Sequence, residues 1–336
     1  MTTIREVAQA AGVSVATVSH VINETRYVSP ELQEKVRAVM ADLGYTPDGR
    51  ARSLRLRRTQ TMGLVVPDNT NPFFAGLARL VEDEGFEAGY TTILGNSDER
   101  PEREERYVEA LLSKRVDGLI LAATLHHPPG VEALLRRSRL PVVLIDRELD
   151  VPGVDVVLTD NRGGGRQAAR HLLDLGHRHL ACIAGPAGRP SAERLEGFAD
   201  ELTAAGVALP TATLVEGDFQ YAGGRSGMAA LLDAGVPFSG VFVANDLMAA
   251  GALAELHARG VDVPGDVSVV GFDDSAPAVF TSPALTTVRQ PLAEMGRMAI
   301  SLLERLIEGQ RIEKLRVTFQ PWHKRDAQPR DEAAEA

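Results

Sequence analysis

Cysteine and long apolar runs are scarce in this sequence. The 336 residues include a single cysteine, Cys182, so the chain cannot form an internal disulfide, as is typical of proteins in a reducing cytoplasm. No apolar run approaches the ~20 residues that a membrane-spanning helix needs. The segment Met1–Val7 also lacks the apolar stretch of a signal peptide. We therefore expect a cytoplasmic protein without a membrane partner.

The motifs of common enzymes and metal sites are also missing. The run Gly163-Gly164-Gly165 is not followed by the Gly-Lys-Ser/Thr of a phosphate-binding loop, and its spacing differs from that of a dinucleotide fingerprint. The histidines lack the spacing of HExxH or cysteine-containing metal sites, and no Gly-x-Ser-x-Gly elbow is present. These absences predict a protein with no catalytic residue, no metal and no cofactor.

Positive charge is in short supply overall but not at the N-terminus. The chain has a formal net charge of −10, yet residues 1–60 contain nine Lys and Arg against six Asp and Glu, and the remainder contains 27 against 40. A basic head on an acidic body favours nucleic-acid contact at the N-terminus. A solvated charged surface would explain an excess of three equally well, so the charge only supports this interpretation.

The first 45 residues have the pattern of three short helices. Thr3 and Glu6 form a capping box, Ser14 opens a second helix after a glycine, and Pro30 starts a third. Two helices joined by a tight turn and backed by a third predict a helix-turn-helix DNA-binding domain over residues 1–45, although a plain helical bundle would have the same pattern. Side chains of suitable size and reach for bases and phosphates lie on or after the second helix: Val15, Ala16, Thr17, His20, Asn23, Thr25 and Arg26.

The pattern of apolar and polar residues changes after an arginine-rich linker at residues 46–60. Short apolar runs such as Gly118–Leu121 alternate with amphipathic stretches such as Glu102–Ser113, which predicts parallel sheets covered by helices on both faces. The length suggests an α/β domain of two lobes over residues 61–328. We expect an N-lobe at about 61–159 and 291–318, a C-lobe at about 160–290 and 319–328, and a disordered tail at 329–336.

Polar and aromatic residues follow several of the predicted strands. They are the segment Asp68–Phe74 and the pairs Asp146-Arg147, Asn245-Asp246, Asp273-Asp274 and Arg289-Gln290. Ligands of open α/β sheets bind beyond the carboxyl ends of the strands. Carboxylates, amides, guanidiniums and aromatic rings at one edge suit a polyhydroxylated ligand. We therefore expect a small-molecule site there.

Four segments of the sequence resemble the N-terminal region of the lac-repressor family of transcription regulators. They are Thr3-Ile-Arg-Glu-Val-Ala, Ala11-Gly-Val-Ser-Val-Ala-Thr-Val-Ser-His-Val-Ile-Asn23, Thr25-Arg26-Tyr27-Val28 and Ala51-Arg52-Ser53-Leu54. The Ser-His-Val-Ile-Asn and Thr-Arg-x-Val pieces are most similar to the purine and ribose repressors. The resemblance implies a homodimer that reads double-stranded operator DNA of palindromic sequence, with one recognition helix per half-site.

The same resemblance implies that residues 46–60 form a hinge helix on the operator. Leu54 would wedge between base pairs in the minor groove, and Arg52 and Arg55 would contact phosphates or a narrow groove. Gly49 departs from the family pattern, because a helix former is more usual there. We expect this glycine to weaken the N-terminal end of the hinge helix.

The larger domain resembles the type I periplasmic sugar-binding proteins. The positions that match a ribose-binding pocket are Asn71, Phe73, Phe74, Asp146, Arg147, Arg194, Phe219, Asn245, Asp273 and Gln290. The resemblance implies a repressor with a sugar as inducer, ribose or a related pentose in the first instance. A purine- or nucleoside-responsive repressor and, further off, a sugar-processing enzyme are the alternatives.

Several of these residues also have plainer interpretations. Asp146-Arg147 could be a surface ion pair, and one of Phe73 and Phe74 could belong to the core of the following helix. Asn245 or Asp246 could cap a helix. The single tryptophan, Trp322, could line the pocket or pack in the core.

Overall fold

The computed structural model describes residues 2–23, 26–45, 58–126, 129–310, 316–319 and 322–323. The chain divides into two compact units that meet between Thr59 and Gln60. None of the described helices is long and apolar enough to cross a membrane. The predictions for Thr25, for Arg52, Leu54 and Arg55 and for the tail 329–336 fall outside the described residues.

The first unit contains the helices α1 (Ile4–Ala11), α2 (Val15–Asn23) and α3 (Pro30–Asp42). The predicted capping box is present: Thr3 accepts from the backbone N–H of Glu6, and the Glu6 carboxylate accepts from the backbone N–H of Thr3. Ser14 caps α2 by accepting from the N–H of Thr17 at 3.0 Å. The inward faces of the helices form one small core made of Val7, Ala8, Ala11, Val18, Val21, Val28 and Val36.

The second unit is built on two sheets, each with six described strands. The first has the order β11-β5-β4-β3-β1-β2 and is parallel throughout, and its elements constitute the N-lobe. The N-lobe elements are β1 (Thr61–Val66), α4 (Pro72–Glu87), β2 (Thr91–Asn96), α5 (Pro101–Lys114), β3 (Gly118–Leu121), α6 (Pro129–Arg137), β4 (Val142–Ile145), β5 (Asp155–Thr159), α12 (Leu292–Ile307) and β11 (Arg316–Phe319).

The second sheet has the order β12-β10-β9-β8-β6-β7 and belongs to the C-lobe. It is parallel except for β12, which pairs antiparallel with β10. The C-lobe elements are α7 (Asn161–Asp174), β6 (Leu180–Ala184), α8 (Arg189–Ala204), a 3-10 turn (Thr211–Thr213), β7 (Leu214–Glu216), α9 (Tyr221–Asp233), β8 (Gly240–Val243), α10 (Asp246–Ala258), β9 (Ser268–Asp273), α11 (Pro277–Phe280), β10 (Thr286–Arg289) and β12 (Trp322–His323).

Both faces of each sheet are covered by helices. In β1, Leu64 packs against α4 and α12 on one face, whereas Val65 packs against α5 and α6 on the other. In the C-lobe, α9 and α10 cover one face of the sheet, and α7 and α8 cover the other. Burial on both faces explains why the strands appear in the sequence as continuous apolar runs.

Helices α7 and α8 cross at unusually short range. A Cβ added to Gly165 would lie 2.0 Å from the backbone oxygen of Arg194, and one added to Gly197 would lie 1.9 Å from that of Arg162. Neither contact is compatible with a side chain, so glycine is required at both positions. The third glycine of the Gly163–Gly165 run therefore has a packing role.

Candidate functional site

The edges of the two sheets meet at a polar cleft between the lobes. Nine of the ten residues predicted to contact a ligand line one small cavity there, together with Pro190. The tenth, Gln290, donates from Nε2 to Oδ1 of Asp273 at 2.8 Å. These ten residues are called the cleft cluster below. The structure thus brings together residues spread over more than 200 positions of the sequence.

Strand ends and helix caps position the members of the cleft cluster. Asp146 directly follows β4, Asn245 follows β8 closely, and Asp273 ends β9. Asn71 caps α4 by accepting from the N–H of Phe73 at 3.0 Å. Asn245 caps α10 in the same manner, and it also donates to the backbone oxygen of Phe219 at 3.1 Å. The cap interpretation of Asn245 is therefore correct, and the cap places the residue in the cleft.

The aromatic residues Phe73 and Phe74 form one wall of the cleft. Each is 4% exposed, and their rings meet edge to face with centroids 5.0 Å apart. Both rings belong to the core below the first sheet as well as to the cavity wall. Both residues therefore pack in the core and at the same time line the cavity.

Arg194 is held from the C-lobe side at the centre of the cleft. Its Nε donates to Oδ1 of Asn161 at 2.8 Å, and its Nη1 donates to the backbone oxygen of Ala244 at 2.6 Å. The guanidinium carbon lies 3.8 Å from the ring centroid of Phe272, and Nη1 lies 3.5 Å from Oδ1 of Asp273. These contacts fix a buried cation beside a carboxylate of the cleft cluster.

Asp146 and Arg147 are buried, so the interpretation as a surface ion pair is wrong. Their side chains are 5% and 7% exposed, and Arg147 Nε lies 3.6 Å from Asp146 Oδ2. The Nη1 of Arg147 donates to Oε1 of Glu99 and to the backbone oxygen of Ala123, each at 2.8 Å. Glu104, which is fully buried, accepts from the N–H of Thr124 on the neighbouring loop at 2.6 Å.

Burial changes the acidity of the carboxyl groups around the cleft. It raises the pKa of Asp273 to about 7, against the opposing effect of Arg194. It also raises the pKa of Asp146, and that of Asp246, where the nearby charge of Asp273 adds to the effect. Burial raises the pKa of Glu104 to about 7 as well. A ligand that donates hydrogen bonds to these carboxylates stabilises their charged form and so lowers their pKa.

Three members of the cleft cluster have a left-handed backbone conformation. The φ angles are 66° at Asp146, 63° at Phe219 and 114° at Asp273. Positive φ is uncommon for residues other than glycine, costs on the order of 1–3 kcal/mol and concentrates at functional sites. The surrounding fold therefore holds these side chains in place against a local preference.

A second, larger cavity lies beside the cleft cluster. It has a volume of about 270 Å³, compared with about 20 Å³ within the cluster itself, and it shares Asp146, Arg147 and Pro190 with it. Both lobes contribute to its walls, and we call it the side cavity. Its other lining residues are Thr124, Leu125, Glu148, Leu158, Thr159, Asp160, Asn161, Arg162, Arg189, Glu193, Glu196 and Arg316.

Polar contacts join the lobes on either side of the cleft. Gln220 of the C-lobe donates from Nε2 to Oδ2 of Asp68 in the N-lobe at 2.9 Å. Arg189 of the C-lobe forms an ion pair with Glu148 of the N-lobe. Within the described ranges, no His, Cys, Asp and Glu side chains are grouped so as to hold a metal ion.

The predicted DNA-contacting side chains lie around α2. Val15 and Ala16 are exposed at its first turn. Thr17, His20 and Asn23 are half-buried, and Arg26 is exposed after the helix. The described members of this set thus lie on α2 or directly after it, and they do not belong to the buried core of the first unit.

Sequence reasoning missed Pro190, which lines the cleft, and Glu104, a buried carboxylate that holds the N–H of Thr124. Pro190 lies in the first turn of α8, the helix that follows β6, and applying the strand-end argument to that strand would have led to it. Glu104 gave no such signal, because an acid in the first turn of α5 is expected on the solvated face.

Comparison with known proteins identifies the family. Residues 3–48 match the family model described as bacterial regulatory proteins, lacI family, and residues 169–326 match a periplasmic binding protein-like domain. The ribose operon repressor of Escherichia coli (strain K12) is 39% identical over 96% of this chain and 98% of its own length. The chain belongs to the LacI family. The predicted LacI-family transcriptional regulator is therefore confirmed.

Other LacI-family proteins are similar along nearly the whole chain. The HTH-type transcriptional repressor PurR of Photobacterium profundum is 36% identical over 94% of each chain. A lac repressor dimer bound to operator and the anti-inducer ONPF is 28% identical with a TM-score of 0.84, and covers 96% of this chain and 98% of that one. The complex of the regulator CelR with cellobiose is 37% identical with a TM-score of 0.74, over 97% and 99%. These matches confirm the predicted fold, a helix-turn-helix module with a two-lobed α/β sensor.

Proposed function

We propose that this LacI-family repressor acts in the cytoplasm as a homodimer on a palindromic operator and is released by ribose or a related pentose. The observation that carries the sugar assignment is the cleft cluster. Among the described residues, Nε of Arg147 and Oε1 of Gln290 find no hydrogen-bond partner, although both side chains are buried. A buried donor on a residue that lines the cleft, and a buried acceptor on the residue bonded to Asp273, are the complement of a hydroxyl group.

The rest of the cleft cluster suits the same ligand. Asp146 and Asp273 accept from vicinal hydroxyls, and Asn71 and Asn245 add amide groups. Phe73, Phe74 and Phe219 offer apolar faces to the C–H side of a sugar ring. Carboxylates with a raised pKa become more acidic when hydroxyls donate to them, so we expect sugar affinity to increase as the pH rises through about 7.

The sugar contacts we propose come from both lobes. Asn71, Asp146 and Arg147 belong to the N-lobe, whereas Arg194 and Asp273 belong to the C-lobe. A volume of about 20 Å³ holds roughly one water molecule, so a sugar enters only if the lobes move apart and then close around it. Closure would fix the angle between the lobes and bias the hinge segments of the dimer, with a coupling of ~1–3 kcal/mol.

Exposed apolar side chains support the homodimer. Phe86 at the end of α4 is 70% exposed, and Leu94 on the edge strand β2 is 46% exposed. In the C-lobe, Val279 and Phe280 are 51% and 82% exposed. Apolar residues in such positions on both lobes are typical of a surface covered by a second subunit.

A purine or nucleoside is the second candidate effector, and the similarity to PurR favours it. A sugar-processing enzyme is disfavoured because the relatives named above are regulators. Incubation of the purified protein with ribose distinguishes the last case, since a binding protein returns the sugar chemically unchanged.

Calorimetric titration with ribose, together with gel shifts on an operator selected in vitro, tests the proposal. Asp146→Ala should abolish ribose binding and leave operator binding intact, whereas Asp150→Ala, at a side chain that is 98% exposed, serves as the matched control. Leu54→Ala should weaken operator binding about tenfold or more, because the wedge is lost. The sugar assignment fails if neither ribose nor another pentose binds, and the wedge fails if operator affinity is unchanged.

A further inference from the structure

The side cavity points to the chemical class of the effector. We infer that the effector is an uncharged glycoside, in which the pentose binds in the cleft cluster and a second, neutral ring group fills the side cavity. This inference rests on the proposed function, because it takes the sugar site as given. It specifies that the related pentose carries a glycosidic substituent, which adds contacts that free ribose lacks.

The two cavities are neighbours that share part of their lining. Asp146, Arg147 and Pro190 line both of them, so a ligand held by Asp146 and Arg147 lies at the boundary. The side cavity is roughly an order of magnitude larger than the space within the cluster. A free pentose leaves this volume to about nine water molecules, whereas a ring substituent displaces them.

The charges around the side cavity argue for a neutral group. Arg162 forms an ion pair with Asp200 at 2.7 Å, and Arg189 and Arg316 both form ion pairs with Glu148. Four carboxylates pair with these three arginines, because Arg189 also pairs with Glu193 at 2.6 Å and Arg162 with Glu196 at 3.6 Å. A phosphate or carboxylate would have to compete with these carboxylates, and further acids line the same wall.

The remaining walls suit a flat ring with a polar edge. Leu125 and Leu158 of the N-lobe and Pro190 of the C-lobe provide apolar surface. Asn161 and Thr159 provide amide and hydroxyl groups beside them. A nucleobase and a second sugar ring both have this combination of an apolar face and hydrogen-bonding edges.

Calorimetric titration of the full-length protein with four probes tests the inference. The probes are ribose, methyl β-D-ribofuranoside, uridine and ribose 5-phosphate. Leu125→Trp fills the side cavity from the N-lobe, and Glu196→Trp fills it from a C-lobe side chain that is 56% exposed and so tolerates replacement. Leu175→Trp is the matched control, because Leu175 is an exposed leucine at the C-terminal end of α7 and does not line the side cavity.

Uridine is expected to bind at least about tenfold more tightly than ribose or the methyl riboside. Both cavity-filling variants should remove this advantage without changing ribose affinity, and the Leu175→Trp control should keep it. Equal affinity for ribose and uridine, or tightest binding of ribose 5-phosphate, overturns the inference and leaves the sugar assignment standing. If none of the four probes binds, both the inference and the proposed function fail.

Discussion

Replacing Asp273 by Asn tests the electrostatics of the cleft directly. The carboxyl is buried beside Arg194 and accepts from Gln290 at 2.8 Å, and burial raises its pKa to about 7. An asparagine keeps an acceptor for Gln290 but has no charge to bury. We therefore expect the variant to be more stable than the parent chain at alkaline pH and to lose its response to the effector at every pH.

The pH at which this gain develops follows from the pKa of Asp273. A carboxyl whose pKa rises from 3.8 to about 7 on folding stabilises the fold below pH 3.8, and this contribution is lost as the pH rises through about 7. The full shift corresponds to on the order of 4 kcal/mol. Because Asp146 and Asp246 share the cleft and Arg194 loses a counterion, we expect the variant to gain only ~1–2 kcal/mol between about pH 5 and pH 8. That gain corresponds to a Tm difference of ~3–6 °C.

Differential scanning calorimetry of the parent chain, Asp273→Asn and Asp150→Asn at about pH 5 and pH 8 measures this difference. The Asp150 side chain is 98% exposed, so its replacement should change the Tm little at either pH. If the Tm difference between Asp273→Asn and the parent were the same at both pH values, the buried-charge explanation of Asp273 would be refuted.

Three further substitutions have outcomes set by their contacts. Glu104→Gln removes another buried carboxyl with a pKa of about 7, so its Tm relative to the parent should rise between about pH 5 and pH 8, and a pH-independent shift would contradict this. Gly165→Ala brings a methyl group within 2.0 Å of the Arg194 backbone oxygen, and urea denaturation should show a loss of ~1–3 kcal/mol, whereas an unchanged midpoint would mean that the helices separate freely. Gln220→Ala removes the hydrogen bond to Asp68 across the cleft. Calorimetry should show sugar binding weakened about fivefold, and gel shifts should show unchanged operator affinity. Equal sugar affinity would show that this bond does not hold the lobes together.

The positions of the strand-end residues could be predicted from the sequence. Asp146, Asn245 and Asp273 follow or end apolar runs of the sequence that form β4, β8 and β9 in the structure. The carboxyl ends of parallel strands lie at one edge of a sheet, so the order of the chain alone indicates that these residues converge. The proposed limits of the domains stay predictions.

Contacts that depend on tertiary packing could not be predicted in this way. Glu104 has the spacing of a solvated helix residue, but the loop after β3 covers it and supplies the N–H of Thr124. The glycine run at 163–165 shows no local sign of its packing role, because its partner Gly197 lies more than 30 positions away. No local pattern indicates that two such glycines face each other's helix.

The close helix crossings of the C-lobe also have a mechanical consequence. Gly165 and Gly197 bring α7 and α8 together on one face of the sheet, and on the other face a Cβ added to Gly224 of α9 would lie 1.9 Å from the backbone oxygen of Met248 in α10. Interiors packed without slack resist shear. We therefore expect the C-lobe to move as a rigid body, with bending confined to the segments that cross between the lobes.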